Sequence, residues 1–300
     1  MPTLKEVELK IKAVKKTQKI TKAMNMVAAS KLSRAQEKME AFRPYANKFA
    51  EVLGSLAERA RGDEENAPPL LVPRAEVKTV DVVLMTSDRG LCGSFNSNLL
   101  VTCEKYLKAK AAEGVEIRLI CMGKKGRDFF RRRNAVIAAE YSGVVGASFG
   151  FNLAINAGRG LIDGFLEGQA DEVQMIYSEF VSMAKQAPTV QQLLPIARVE
   201  KVETVEQKEA VGYIAEHICE PSVEELMAEM LPKQVYVQIY KGLLETSTSE
   251  HAARMAAMDN ATKNCKEMVE SLTLAYNKAR QAAITAELMD IVGGAEALKG

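Results

Sequence analysis

The 300-residue sequence contains no tryptophan, and only 6% of its residues are aromatic. Its two histidines lie far apart in the sequence and its cysteines form no C-x-x-C pair, so no ligand spacing typical of a metal site is present. No run of about 18 apolar residues occurs, which excludes a membrane-spanning helix. We interpret the five scattered cysteines as reduced thiols of a cytoplasmic protein. These cysteines are Cys92, Cys103, Cys121, Cys219 and Cys265.

The amino terminus lacks the apolar core of a secretion signal, and it is rich in lysine rather than arginine, unlike a transit peptide. Residues 1–38 carry ten Lys or Arg against three acids, although the whole chain has a formal net charge of +1. Three interpretations of this local excess stay open: a solvated helix face, a nucleic-acid-binding helix, or docking on an acidic protein surface. No aromatic residue interleaves the lysines between Lys5 and Lys38, which counts against nucleic acid.

Residues 1–61 are predicted to form a long helix. Thr3 and Glu6 have the spacing of a capping box. Pro44 is expected to bend or locally break the helix, and the stretch from Gly62 to Pro69 is expected to follow its end. Apolar residues then follow the spacing of a coiled-coil seam, with a slip in phase and an interruption near residues 15–31. The predicted seam residues are Leu4, Val7, Ile11, Val14, Leu32, Ala35, Met39, Phe42, Ala46, Phe49, Leu53 and Leu56.

Residues 222–297 are predicted to form a second long helix, with Ser222 and Glu225 at capping-box spacing. Pro232 is expected to mark a kink or a restart, residues 235–240 could alternatively alternate as a strand, and Gly293-Gly294 should end or fray the helix. A regular heptad seam begins at Met255 and alternates steps of three and four residues. Its predicted members are Met255, Met258, Thr262, Cys265, Val269, Leu272, Tyr276, Ala279 and Ala283.

The central segment, residues 77–210, alternates strand and helix patterns. This order predicts crossover units and a mainly parallel sheet. The predicted strands are 80–85, 116–122, 135–141, 173–182 and 189–199, and the predicted helices are 94–113, 124–133 and 151–166. The overall prediction is therefore an α/β plus coiled-coil protein, with a central Rossmann-like α/β domain between two long helices.

The first strand-to-helix turn, residues 86–96, is where such a sheet would hold a phosphate. It has neither the G-x-G-x-x-G fingerprint nor a P-loop, because its glycines, Gly90 and Gly93, are separated by only two residues. Cys92 could act as a nucleophile only with a base, and His217 and His251 both lie outside the sheet segment, so a small buried residue is the favoured interpretation. We therefore expect no catalytic residue, no cofactor and no metal.

Three blocks carry a resemblance to a known family. They are Thr17–Lys31 (TQKITKAMNMVAASK), Thr86–Gly93 (TSDRGLCG) with Asn96 and Asn98, and Ser249–Met258 (SEHAARMAAM) with its continuation Tyr276–Leu288. In this order they resemble the signature blocks of the γ subunit of the rotary F-type ATP synthase, over essentially the whole chain.

The resemblance implies an antiparallel coiled coil inside a ring of alternating α and β subunits, with the central domain beside the ε subunit and the membrane ring of c subunits. It implies a rotor shaft that transmits the rotation of the c-ring to the catalytic β subunits and regulates ATPase activity and proton flow. It further implies a non-catalytic, peripheral subunit at the cytoplasmic face of the bacterial inner membrane, which binds no nucleic acid.

The resemblance also implies contacts with the β subunit. Ala286 stands where the family pattern has a longer polar residue, and no cysteine pair of the chloroplast type is present. The alternatives are a nucleotide-dependent enzyme built on the α/β domain and a coiled-coil scaffold or nucleic-acid-binding protein. The implied contact residues are Met24, Arg254, Arg280, Gln281, Thr285 and Glu287.

Overall fold

The structure, a computed structural model, describes residues 3–59, 68–143, 145, 149–196, 220 and 222–297. It divides into two compact units, one within residues 1–30 and 254–300 and the other within residues 31–253. We call them the tip unit and the base unit. The elements are helices α1 (Leu4–Arg59), α2 (Phe95–Ala112), α3 (Lys124–Arg131), α4 (Phe151–Leu166) and α5 (Val223–Ala297), and strands β1 (Thr79–Met85), β2 (Glu116–Met122), β3 (Ile137–Tyr141), β4 (Glu172–Phe180) and β5 (Gln186–Leu194).

Helix α1 begins with the predicted capping box. The Thr3 backbone N–H donates to Glu6 Oε2 at 3.0 Å, and the Glu6 N–H donates to Thr3 Oγ1 at 3.4 Å. The local break expected at Pro44 is wrong, because the helix runs through it without interruption. Proline removes one backbone donor, and the buried neighbours Met39 and Ala46 anchor the turns on either side. The predicted end near residue 61 and most of the following stretch lie outside the described residues.

The expected slip in phase within α1 is also wrong. Between Val14 and Leu32, the less exposed positions continue at steps of four and three residues. They are occupied mainly by polar residues, which a search for apolar periodicity passes over. The seam is therefore continuous in spacing and changes only in chemistry, through Gln18, Thr21, Asn25 and Ala28.

Helix α5 begins with the Glu225 N–H bound to Ser222 Oγ at 3.2 Å, and it continues without a restart through Pro232. Residues 235–240 are helical, so the strand alternative is wrong. Its alternating pattern arises because Val235, Val237 and Ile239 are all almost fully buried, as expected of a helix with neighbours on several sides. The helix also passes through Gly293-Gly294, which does not end it.

Most of the predicted α5 seam is confirmed. From Met258 to Ala279, each predicted seam position is less exposed than most of its neighbours, and Met255 is half-buried, as are most of the residues around it. Ala283 is the exception: it is exposed, as are all described side chains from residue 281 onward. The seam therefore ends one step earlier than predicted.

The central sheet has the strand order β3-β2-β1-β4-β5. Strands β1 to β4 are parallel, and β5 pairs antiparallel to β4 at one edge. The mainly parallel α/β sheet is therefore confirmed. Strand β3 begins at Ile137, two residues later than predicted, and the predicted extension of the last strand beyond residue 196 lies outside the described residues.

The two faces of this sheet have separate apolar cores. One core joins β1 and β4 to α4, to the first half of α5 and to Leu53 and Leu56 of α1. The other core packs α2 and α3 on the opposite face. Helix α5 approaches closely: a Cβ at Gly158 of α4 would lie 2.4 Å from the Tyr236 ring, and one at Gly242 would lie 2.9 Å from Met175 Sδ. Within the base unit, the first part of α5 thus packs directly on α4 and the sheet.

Candidate partner-contact surface

The turn between β1 and α2 is stabilised by its own polar groups. Asn96 accepts the Ser87 N–H at 3.1 Å and donates to Ser87 Oγ at 2.8 Å. Asp88 Oδ1 accepts two backbone N–H groups, from Lys124 at 3.1 Å and Gly143 at 3.0 Å. These bonds tie the turn to the start of α3 and to the end of β3, which gives the polar residues of this block a structural role.

The buried thiols of the base unit either pack as small residues or have raised pKa values. Cys92 is 1% exposed and lies within contact of Asn96 Nδ2 at 3.1 Å, as expected for a small buried residue under the turn. Burial raises the pKa of Cys121 to about 11 and raises that of Cys103 still further. Cys219 and His217 lie outside the described residues.

The base unit also has an open cavity of about 650 Å³ beside the edge strand β3. Its charged lining residues, Arg131 and Glu140, pair with each other at 2.9 Å. Within the described residues, no group of three or more His, Cys, Asp or Glu side chains is placed to hold a metal ion. None of the described helices is both long and apolar enough to cross a bilayer.

The tip unit is held together by polar as well as apolar seam contacts. Thr21 Oγ1 and Thr262 Oγ1 share a hydrogen bond of 2.8 Å, and Asn25 Nδ2 donates to the Met255 carbonyl at 2.9 Å. The two ends of the chain therefore pack against each other, as predicted. Such paired polar groups favour one register of the two helices, because any shift leaves both groups unpaired.

This pairing places two predicted contact residues on neighbouring turns. Met24 precedes Asn25, and Arg254 precedes Met255, so the Asn25 hydrogen bond brings their helix turns together. Both side chains are half-buried. Met24 and Arg254 therefore lie on adjacent turns of the two helices.

The other predicted contact residues form a second group in the last turns of α5. Arg280, Gln281, Thr285 and Glu287 are all exposed. Thr285 Oγ1 donates to the Gln281 carbonyl at 2.9 Å, so its hydroxyl hydrogen is already bound within the helix. Arg280, Gln281 and Glu287 present their polar ends to solvent.

The sequence reasoning missed the apolar component of this second group. Five large apolar side chains in the same turns are each more than half exposed, which is unusual for one short stretch of helix. The signal available in the sequence was the persistence of apolar residues after the heptad spacing stops. We call these residues the apolar tip: Ile284, Leu288, Met289, Ile291 and Val292.

Helix α1 contributes a basic surface to the tip unit. Its first seven lysines are all exposed, and in the described part of the chain Lys12 alone among them has an acidic partner, Glu8 at 2.7 Å. The local charge excess is therefore carried on the outside of the helix pair. These lysines are Lys5, Lys10, Lys12, Lys15, Lys16, Lys19 and Lys22.

Comparison with known proteins shows which family this chain belongs to. A family described as ATP synthase matches residues 3–298. The chain is 64% identical to the ATP synthase gamma chain of Desulfosudis oleivorans over the full length of both, and 55% identical to that of Nitratidesulfovibrio vulgaris (strain Hildenborough), also over full length.

Solved structures agree. The chain is similar to one in the central stalk and c-ring structure of Tetrahymena thermophila mitochondrial ATP synthase, with 26% identity, a TM-score of 0.57, and coverage of 81% of this chain and 99% of that one. A chain of the Euglena gracilis mitochondrial enzyme, 19% identical with a TM-score of 0.65 over 98% of this chain and 94% of that one, shares the fold. The chain therefore belongs to the ATP synthase gamma chain family, and it is a non-catalytic subunit of the central stalk, the rotor of an F-type ATP synthase.

Proposed function

We propose that this chain is the shaft that connects a membrane c-ring to a catalytic ring of α and β subunits, with the ε subunit bound beside its α/β domain. In this proposal residues 1–61 and 222–297 form the shaft, and residues 77–210 form the domain that the c-ring turns. The subunit works peripherally, at the cytoplasmic face of the bacterial inner membrane. The similarity to a chain from a structure of a central stalk with its c-ring supports this assignment.

The observation that carries the proposal is the apolar tip. Five large apolar side chains at the end of α5 are more than half exposed to solvent, and such a patch indicates a surface that a partner covers. We assign it to a socket within the α and β subunits. The exposed polar residues Arg280, Gln281, Thr285 and Glu287 in the same turns supply hydrogen bonds to β.

The basic face of α1 supplies the second contact. Exposed lysines attract an acidic partner surface through interactions that bulk salt weakens, so the contact can be made and released as the shaft turns. Met24 and Arg254 lie on the neighbouring turns that the Asn25 hydrogen bond joins. We propose that this side of the helix pair faces an acidic region of β.

Rotation can change the state of a β subunit only if the shaft binds its states with different affinity. A shaft with a basic α1 and an apolar end of α5 is asymmetric about its axis, so it presents a different surface to each β subunit in turn. The same coupling regulates ATPase activity and proton flow, because neither can proceed without rotation of the shaft.

The first test is reconstitution. The isolated chain should hydrolyse no ATP, and it should activate hydrolysis when mixed with α and β subunits. Turnover by the isolated chain, or full hydrolysis by α and β without it, would contradict the proposal.

A second test compares two apolar-to-acidic changes. Leu288→Asp in the apolar tip should weaken assembly with the α and β ring, because a carboxylate would be buried in an apolar socket. Val101→Asp on α2 is the matched control, since Val101 is also an exposed apolar residue (48%) but lies in the base unit. Equal effects of the two changes on co-purification with the α and β ring would refute the socket assignment.

A third test reverses the charge of the basic face. Combined changes of Lys15, Lys19 and Lys22 to Glu should lower the coupling of hydrolysis to rotation while leaving the fold intact, whereas Lys105→Glu on α2 should not. Unchanged coupling would contradict the proposed contact with β and would indicate that the lysines are only a solvated surface.

A further inference from the structure

A buried polar segment interrupts the apolar face of α5 within the base unit. Seven consecutive residues, from Glu245 to His251, are all polar, and none is more than 5% exposed. Polar side chains are normally buried only where specific hydrogen bonds compensate for the lost water. Neither the apolar tip nor the basic face accounts for this segment.

The segment lies where strand β4 extends beyond the end of its pairing with β1. On one side, β4 pairs with β5 from Val173 up to Phe180, which lies opposite Gln186. On the other side, β1 pairs with β4 only as far as Ile176, opposite Leu84. The last residues of β4 therefore lack a strand partner on the β1 side within the described residues, and their backbone groups need other partners.

Side chains of α5 supply those partners. Thr246 Oγ1 accepts the Ser178 N–H at 3.3 Å, and Glu245 Oε2 accepts the Phe180 N–H at 3.1 Å. Ser249 Oγ donates to the Ser178 carbonyl at 3.3 Å. Side chains of α5 thus bind the backbone groups of β4 that a neighbouring strand would otherwise bind.

Glu245 also connects this junction to the other long helix. Its Oε1 lies 3.8 Å from Nη2 of Arg43 in α1, and its side chain is 3% exposed. Burial raises the pKa of Glu245, while the Phe180 N–H, Lys241 and Arg43 favour its charged form and Glu179 opposes it. One carboxylate therefore contacts the sheet and α1 from its position on α5.

We propose that Glu245, Thr246 and Ser249 are positioning residues that join the α/β sheet to α5, so that the two turn as one body. Apolar packing resists separation but is non-directional, whereas hydrogen bonds between defined atoms fix the helix in one register against the strand. The proposal rests on the rotor function, because only a shaft under torque needs this junction to resist twisting.

The first arm of the test measures the bonds themselves. Thr246→Val keeps the size and branching of the side chain but removes the acceptor, so the Ser178 amide should exchange its hydrogen about fivefold faster, as expected for the loss of one hydrogen bond. Thr246→Ser should restore the slow rate. Thr273→Val is the matched control, because Thr273 lies on the exposed surface of α5 and its hydroxyl donates to the Val269 carbonyl of the same helix.

The second arm measures torque transmission in the assembled synthase. With Thr246→Val, the angular fluctuation of a bead on the α/β domain should widen when α5 is held by the α and β ring, and proton-driven ATP synthesis should fall at least twofold. The variants Thr246→Ser and Thr273→Val should behave as the unchanged protein does. Ser249→Ala should reproduce the effect through the other bond to Ser178.

Two results would overturn the inference: an unchanged Ser178 exchange rate in Thr246→Val, or faster exchange with unchanged angular fluctuation and synthesis. Failure of the rotor function itself would be seen in the unchanged chain, which would then show no rotation with the α and β ring. The exchange measurement does not depend on that function, so the two failures can be told apart.

Discussion

Two glycines of α4 offer a matched test of how α5 rests on the α/β layers. At Gly158 an added Cβ would lie 2.4 Å from Cδ1 and 2.8 Å from Cε1 of Tyr236, well inside normal contact distance. At Gly160, two residues along the same helix, no atom lies within 4 Å of an added Cβ. The two positions differ mainly in what they face.

The magnitudes follow from two opposing effects. Replacing glycine by alanine within a helix stabilises it by about 1 kcal/mol, and Gly160→Ala should gain up to that amount. Gly158→Ala gains the same but forces the Tyr236 ring to move, and overpacking of this kind costs about 1–3 kcal/mol. The variants should therefore differ by about 1–3 kcal/mol in the free energy of unfolding, with Gly158→Ala the less stable.

Urea and thermal unfolding followed by circular dichroism would measure this difference. For a unit of this size, each kcal/mol corresponds to about 2–4 °C in Tm. If Gly158→Ala were as stable as Gly160→Ala, the close packing of α5 on α4 within the base unit would be refuted.

Three further predictions concern polar contacts. Burial raises the folded-state pKa of Glu245 above its ordinary value of 4.5. Its ionisation therefore lowers the free energy of unfolding as the pH rises from about 4.5 through the folded-state pKa. Glu245→Gln should flatten that loss when unfolding is measured against pH, and an unchanged pH profile would contradict this expectation. Arg118 donates two hydrogen bonds of 2.8 and 2.9 Å to the buried Asp81. Arg118→Ala should therefore lower the free energy of unfolding in urea by about 3 kcal/mol, and adding Asp81→Asn should recover part of that loss. A double variant no more stable than the single one would argue against the ion pair. Asn25→Ala should lower the free energy of unfolding by about 1 kcal/mol in thermal unfolding, because it removes the hydrogen bond to the Met255 carbonyl. Asn260→Ala at an exposed position should cause no measurable loss. Equal Tm values for the two variants would exclude a role for the Asn25 bond.

The fold was largely predictable because apolar periodicity reports burial directly. Strand β2 and helix α4 have the predicted bounds, since in both an apolar pattern is delimited by glycine or by a change of period. The seam of α5 from Met255 to Ala279 follows from its heptads for the same reason. These patterns depend on local sequence alone.

The errors arose where tertiary contacts override local signals. Pro44 and Pro232 each remove one helix hydrogen bond, yet packing on either side keeps the helices continuous. Thr21 and Asn25 occupy seam positions because their partners lie on the other end of the chain, more than 200 residues away. No local pattern identifies such pairs.

The contact surface was predictable only in part. The basic face follows from the lysine count, and the resemblance drew attention to the end of α5. The apolar tip and the buried segment from Glu245 to His251 required coordinates, because exposure of Leu288 and burial of Thr246 depend on which elements end nearby. The β contacts of Met24, Arg254, Arg280, Gln281, Thr285 and Glu287 stay predictions.

Rotation of this chain within its catalytic ring is the central claim, and it can be observed directly. A bead attached to the α/β domain, with the α and β subunits fixed to a surface, should turn in one direction when ATP is added, and it should stop when ATP is exhausted. Sustained ATP hydrolysis by the assembled complex with the bead stationary would contradict the account.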